Sequence, residues 1–513
     1  MPDRTPVELN TGRAADALTG PGDGARIDDF LLAGPDRDVC LWFDRPVTRG
    51  ELRDAVASRA AELVAAGLSP GGAVSLRLPP SLAYVVNLLA SWRIGAQVSL
   101  LDHRLTDHEV AQAVDRIRPQ LVVSAAEGPA GGVRSHSEIT AVVAAHPGEP
   151  AATPHALLQL SSGSTGPSKV IGRTAADLRD EIERYHQIDG TPLPGERVVL
   201  LASMVHVLGL VGGLLYCLRT GVQLVLPRAL TTDAILAAIG AGAEPTTVIG
   251  VPFHIDFLTV AGAGPRLPQL KRMTVGGELV RPAVRQSFLD RYDVPLGNMY
   301  GMTEVGVIAT DLFGRHQPAL EPAPGMTLRE EAGQLLLARD ATPYVGLSDP
   351  TRWVDGWLYT RDAGTVDPDS GLVTVRGRLD SQVSVAGLKV DLTEVEQTLA
   401  GLASVVEVVV AHDAGIEAFV SLADGATEPE LKSEIARLLA PYKRPRRLTL
   451  LPKLPRTATG KLVRSIPVLR DAAARAREIP KPRTAAPAPA GNGHQEGTAG
   501  DGQHEERIGA DVQ

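Results

Sequence analysis

The chain has 513 residues, 44% hydrophobic and 22% charged, and a formal net charge of -9, a length that points to about three to four units of ordinary domain size. The acidic balance argues against a nucleic-acid partner, which would need a basic face. Two isolated cysteines, Cys40 and Cys217, exclude a disulfide framework or metal cluster and fit a reducing cytoplasm, the expected localisation.

The polar N-terminus, MPDRTPVELN, has no apolar signal-peptide core, and residues 1–26 read as an extension. Glu51 to Gly67 repeats apolar residues at helical spacing and stops at glycine, and AVSLRLP follows as a strand. Thr106 and Glu109 form a capping box before AQAVDRIRP, and QLVVSA is the next strand. LLQL reads as a strand end and the segment after Thr174 as a helix. Val198 to Leu218 is long enough to cross a bilayer, yet polar residues and three glycines punctuate it. It reads as a buried strand, a loop through His206 and a buried helix, and no membrane partner is expected.

Such alternation predicts an α/β protein with mostly parallel sheets covered by helices, in a large N-terminal domain spanning residues 27–379. After residue 380 the pattern changes. Thr393 and Glu396 cap a short helix, SVVEVVVAHD and IEAFVSLAD read as strands, and Thr427 with Glu430 opens a helix ending near PYKRP. Residues 380–478 therefore read as a small α+β domain, and the Pro-, Ala- and Gly-rich residues 479–513 as a disordered tail.

The loop from Ser161 to Lys169, SSGSTGPSK, holds five serines or threonines, two glycines and one lysine. Glycine allows close backbone approach, hydroxyls and N-H groups donate, and lysine adds a point charge, a set that suits a phosphate chain. The G-x-x-x-x-G-K-[ST] spacing is absent, so the loop is another kind of nucleotide loop. Four further segments accompany it: NMYGMTEVG with Asn298, Tyr300, Thr303 and Glu304; YTRDAGTVD with Asp362 after a strand; GRLDSQVSVAGLKVDLTEVE from Gly377 to Glu396; and LPRTATGKLVR with Lys461. Taken singly, these could be a strand-to-turn junction, a turn residue, a surface ion pair of Arg378 and Asp380, and a solvated loop lysine.

Together and in this order they resemble the adenylate-forming superfamily of acyl- and aryl-CoA ligases, nonribosomal peptide synthetase adenylation domains and luciferases. The likeness runs from about residue 27 to about residue 470, and LQLSSGSTGPSKVIGRT is most similar to stand-alone aryl-acid-activating enzymes. The resemblance implies that Ser161, Ser162, Gly163, Ser164, Thr165, Gly166 and Lys169 hold ATP phosphates. It implies that Glu304 beside Thr303 holds Mg2+ and that Lys461 is the catalytic lysine. Asp362 and Arg378 would bind the ribose, and Asn298 would read adenine beside a wall of Gly276, Gly277 and Glu278. Tyr300, next to Gly301, would stack on the base. Asp380 would be the hinge of a small domain that rotates between two half-reactions.

His206 stands where the family places an acid-pocket residue, with Gly209, Met302, Val307, Phe253 and His254 as further pocket candidates. VHVLGL contains no acid to pair with an α-ammonium, so the substrate is expected to be a carboxylic acid without an α-amino group. The expected acceptor is coenzyme A, a carrier protein or a small amine, as in amide synthetases of antibiotic pathways. Lys389, Lys443 and Arg444 either meet a coenzyme A phosphate or, as the favoured reading, are solvated surface charges. A catalytically silent adenylate-binding relative is the competing class.

Overall fold

The computed structural model describes residues 26–126, 135–161, 169–259, 266–277, 280, 282–346, 350–379, 381–456 and 462–478. The N-terminal extension up to residue 25, the tail 479–513, Ser162 to Gly166, Glu278, Asp380 and Lys461 lie outside them.

Two large sheets form the main body among the described residues. In the first, Leu121–Ala125, Ala73–Arg77, Gln97–Leu100 and Leu157–Ser161 run parallel in that spatial order. Gln97–Leu100 is buried along its whole length, as helices on both faces require of a central strand. In the second, Arg197–Leu200, Thr246–Gly250, Leu270–Gly276 and Leu296–Met302 are parallel neighbours, and Gly306–Asp311 closes back antiparallel on Leu296–Met302. Helix Leu82–Ile94 is locked between the sheets by its two largest side chains. The Tyr84 hydroxyl donates to the Met204 carbonyl at 2.8 Å, and the Trp92 indole donates to the Ala156 carbonyl at 2.9 Å. A smaller sheet carries Trp357–Val366 paired antiparallel to Val373–Arg378.

Helix starts follow local capping chemistry. Thr48 with Glu51, Thr106 with Glu109, Thr174 with Asp177 and Thr427 with Glu430 each form a reciprocal box. The exception is the first helix after residue 380. It spans Leu392–Ala400, and its cap is Asp391, which accepts from the Thr393 and Glu394 N-H groups, not Thr393. Asp391 ends strand Leu388–Asp391, so the chain leaves the strand directly into the helix. Glu396 instead accepts from the Val410 N-H at 2.8 Å and from Arg464.

Two other expectations change. Lys169–Arg173 is a strand paired antiparallel with Leu157–Ser161, Ser161 opposite Lys169, so the Ser161 to Lys169 loop joins a hairpin rather than leading into helix Ala175–His186. KVIGR is too short to show a period, and its burial on both faces makes it a strand. Asp362 lies inside Trp357–Val366, not after it. The Val198 to Leu218 stretch divides into strand Arg197–Leu200, a wide π-helical segment Leu208–Leu215 and helix Tyr216–Thr220. Among the described residues no helix is long and apolar enough to cross a membrane.

The small domain packs helices Leu392–Ala400 and Glu428–Leu438 on the sheet of Val405–His412, Ile416–Leu422 and Arg447–Leu450 around its own apolar core. It docks on the large domain through residues 438 to 443. Lys443 is buried, with Nζ 2.8 Å from Glu109 and 2.8 Å from Glu394. The Thr106 hydroxyl donates to the Leu438 carbonyl at 3.1 Å, and the Arg104 guanidinium lies 5.5 Å from the Tyr442 ring centre. Lys443 is thus no solvated surface charge: two carboxylates hold it. Arg444 is half-buried, and its guanidinium donates to the Leu439 and Ala436 carbonyls at the end of Glu428–Leu438.

Candidate active site

One cavity of about 1830 Å³ opens between the two domains. Its wall includes Lys169, His206, Gly276, Gly277, Asn298, Tyr300, Gly301, Thr303, Glu304, Asp362 and Arg378. These come from six separate stretches of chain. Most sit at or just beyond the ends of parallel strands of the second sheet, where an open α/β sheet leaves a crevice. Strand Leu296–Met302 delivers Asn298, Tyr300 and Gly301, and the turn after it delivers Thr303 and Glu304. Ser161 ends its strand opposite Lys169.

Asp362 and Arg378 face each other across the antiparallel pair that carries them. Arg378 Nη1 donates to Asp362 Oδ1 at 2.9 Å, and the Tyr300 hydroxyl donates to Asp362 Oδ2 at 2.7 Å. Burial pushes the Asp362 carboxyl above its ordinary range, against the pull of Arg378 and Tyr300. Burial and the Asp362 charge together keep the Tyr300 phenol protonated. Three groups from three strands thus form one rigid polar node. Asn298 Oδ1 accepts from the Met299 N-H at 2.9 Å.

Glu304 is buried, and its Oε1 accepts from the Tyr344 hydroxyl at 2.8 Å with Arg352 Nη2 at 3.5 Å. Neither Tyr344 nor Arg352 belongs to a motif, and only the fold reveals them as neighbours of Glu304. Among the described residues no cluster of three or more His, Cys, Asp or Glu side chains stands ready to bind a metal. A divalent cation at Glu304 would need its other ligands from a bound nucleotide and water, the arrangement usual for Mg2+.

His206 sits in the turn between Arg197–Leu200 and Leu208–Leu215, with its Nε2 making no hydrogen bond among the described residues. Burial pushes its pKa down, partly offset by Asp102. A Cβ on Gly209 would overlap the Ser203 carbonyl, so the tight turn that presents His206 needs glycine there. Gly209, Met302, Val307, Phe253 and His254 all line the same cavity. Val251 N-H donates to His254 Nδ1 at 3.1 Å, which leaves the ring proton on Nε2 and the imidazole neutral.

Burial pushes the His254 pKa down to about 4. An unfolded histidine titrates near 6.5, so above that pH the group has no effect on stability. As the pH falls below it the unfolded chain takes the proton first, and stability declines until the folded pKa is reached. Acidification to pH 5 is expected to cost about 2 kcal/mol through this group. Denaturant midpoints at pH 7.5 and pH 5 should differ less in His254→Gln than in the parent, and an equal difference would remove the assignment.

Two buried acids in the cavity wall escaped the sequence motifs. Asp102 is buried and held by Arg104, with Nε to Oδ1 at 2.8 Å and Nη2 to Oδ2 at 2.6 Å. Burial alone would raise its carboxyl, yet Arg104, His103 and His206 bring it below the ordinary range. Glu181 is the other, on helix Ala175–His186. The small domain contributes hairpin Gln382–Val385 and Leu388–Asp391, and Lys389 Nζ donates to the Gly277 carbonyl at 2.5 Å. Arg456 and Leu462, which flank Lys461, are not part of the cavity wall.

Comparison with known proteins bears on the family and fold of the chain. Residues 29–336 match the family described as AMP-binding enzyme, and residues 394–461 match the AMP-binding enzyme C-terminal domain. The chain is 28% identical to p-hydroxybenzoic acid--AMP ligase FadD22 of Mycobacterium tuberculosis over 82% of its own length, and spans 66% of that relative's length. It is 28% identical to the 4-hydroxybenzoate--CoA/benzoate--CoA ligase of Rhodopseudomonas palustris, covering 82% of this chain and 88% of that one. Its fold superposes on the amide bond synthetase McbA of Marinactinospora thermotolerans with a TM-score of 0.72 at 22% identity, over 86% of this chain and 99% of that one. Since the first family match alone covers more than half of the chain, and the second follows it in order, the chain belongs to the AMP-binding, adenylate-forming enzyme family.

Proposed function

We propose that the protein activates an aryl or related non-amino carboxylic acid as an acyl adenylate, releasing pyrophosphate, and then passes the acyl group to a thiol or amine. The observation that carries this reading is the convergence of the Asp362–Arg378–Tyr300 node, Asn298, Glu304, Lys169 and His206 on one cavity closed by both domains. The Asp362 carboxylate accepts hydrogen bonds from ribose hydroxyls, Asn298 reads the adenine amino group and the Tyr300 ring packs on the base. Lys169 and the loop from Ser161 to Gly166 take the phosphates. Mg2+ bound at Glu304 would offset triphosphate charge.

The chemical difficulty is that a carboxylate must approach a polyphosphate. At ~4 Å two unit charges repel by about 4 kcal/mol at an effective dielectric near 20. Lys461 meets that cost by bridging the incoming carboxylate and the α-phosphate in the transition state. In the present pose hairpin Gln382–Val385 and Leu388–Asp391 occupies the cavity wall while the flanks of Lys461 do not. This favours the acyl-transfer half-reaction, with rotation about Asp380 exchanging that face for Lys461.

Acid-dependent exchange of labelled pyrophosphate into ATP is the test. Exchange with one or more members of a broad acid panel is expected, and mass spectrometry of the product formed with coenzyme A or with amines identifies the acceptor. Absence of exchange with every acid would favour a catalytically silent relative.

A further inference from the structure

Glu181 lines the cavity and is buried, yet nucleotide binding gives it no task. It projects from helix Ala175–His186 onto the start of strand Gly306–Asp311. Its Oε2 accepts from Arg173 Nη2 at 2.7 Å and its Oε1 from the Val307 N-H at 3.3 Å. Gly306 has φ of 86°, and a Cβ there would overlap the Glu181 carboxyl, so the strand leaves room for that group. Tyr185, Leu200 and Gly212 also belong to the cavity wall, so the carboxylate shares its part of the cavity with apolar surface.

Stability does not account for this pair. A buried ion pair is commonly no better than an apolar pair of the same volume. Here Arg173 Nε and Nη1 make no hydrogen bond among the described residues, which adds to the cost. A carboxylate is an acceptor only, and it repels the reacting carboxylate of a substrate. The end of the acid that meets Glu181 is therefore the end remote from its carboxylate, and it must bring a donor. An apolar tail there would leave the remaining lone pairs of the buried carboxylate without a donor.

Resting on the ligase reading above, we propose that Glu181 is a specificity-determining residue that selects acids carrying a hydroxyl or amino hydrogen-bond donor on the end remote from the carboxylate. A site built to hydrogen-bond such a donor discriminates strongly against the analogue that lacks it. The probes are benzoate with its 3- and 4-hydroxy and amino derivatives, and hexanoate with 6-hydroxyhexanoate. Calorimetry measures their binding, and pyrophosphate release measures kcat/KM.

At least one donor-bearing acid is expected to exceed its parent by about 100-fold. Glu181→Gln, which keeps an acceptor, should narrow the preference to roughly 10-fold, and Glu181→Leu should abolish or invert it. Melting temperatures check that each variant is folded. Failure of every donor-bearing acid to bind more tightly than its parent overturns the proposal, as does a uniform loss across all acids in a folded Glu181→Gln protein. A kept affinity difference with no pyrophosphate release would sink the ligase reading and leave this assignment standing.

Discussion

Lys461→Ala is expected to slow acyl-adenylate formation by roughly 10²- to 10³-fold or more, the loss typical of removing one preorganised group from a developing charge. Transfer from a supplied acyl adenylate should be far less affected. The asymmetry follows from the proposed division of labour: the lysine faces the reacting carboxylate only while the nucleotide is being attacked. In the pose described, the lysine's neighbours Arg456 and Leu462 stand outside the cavity wall, while Lys389 reaches the Gly277 carbonyl. Pyrophosphate exchange reads the first half-reaction, and single-turnover consumption of synthetic adenylate reads the second. Equal losses in both would contradict rotation about Asp380.

Lys443→Met should produce the largest structural effect. The ammonium is buried between Glu109 of the large domain and Glu394 of the small one. Burial disfavours its charge, but Glu394, Tyr442 and Glu109 outweigh burial and raise its pKa. Removing it leaves two carboxylates without their shared counter-charge, and breaking a buried pair in this way costs about 3–5 kcal/mol. The expected result is a lower melting temperature, faster proteolysis between the domains and slower acyl transfer. Glu109→Gln is the milder control, because the glutamine oxygen keeps the capping box with Thr106 while its amide nitrogen, a donor, ends only the contact with Lys443 and leaves Glu394 in place. A Lys443→Met protein as stable as its parent would mean that the domains do not dock through this pair.

Read alone, the chain specified its helix caps, its strand runs and its order of motifs, because these depend on neighbours a few residues apart. Thr106 with Glu109 and Thr427 with Glu430 form the boxes expected of them. The apolar Val198 to Leu218 stretch divides at His206, as its polar residue and glycines imply. Asn298, Tyr300, Asp362 and Arg378 were legible as candidates since each stands in a motif, although their motifs are separated by tens of residues. The helix cap at Asp391 is not legible because Thr393 with Glu396 offers an equally plausible local box, and the strand Lys169–Arg173 is not because five residues are too few to show a period.

Glu181 was partly legible. It interrupts the buried stripe of Leu178, Ile182 and Tyr185 on one helix, and a charge in such a stripe asks for a partner. The partner itself, Arg173, and the glycine that makes room, Gly306, lie on two different sheets. Lys443 likewise looked like a surface lysine, and only docking of residues 438 to 443 on helix Asp107–Ile117 buried it between carboxylates. Local propensity and pattern act over one turn of helix or one strand. Burial and charge pairing act across space, and so which side chains share a cavity, and which charges hold one another, was decided only when distant segments packed together.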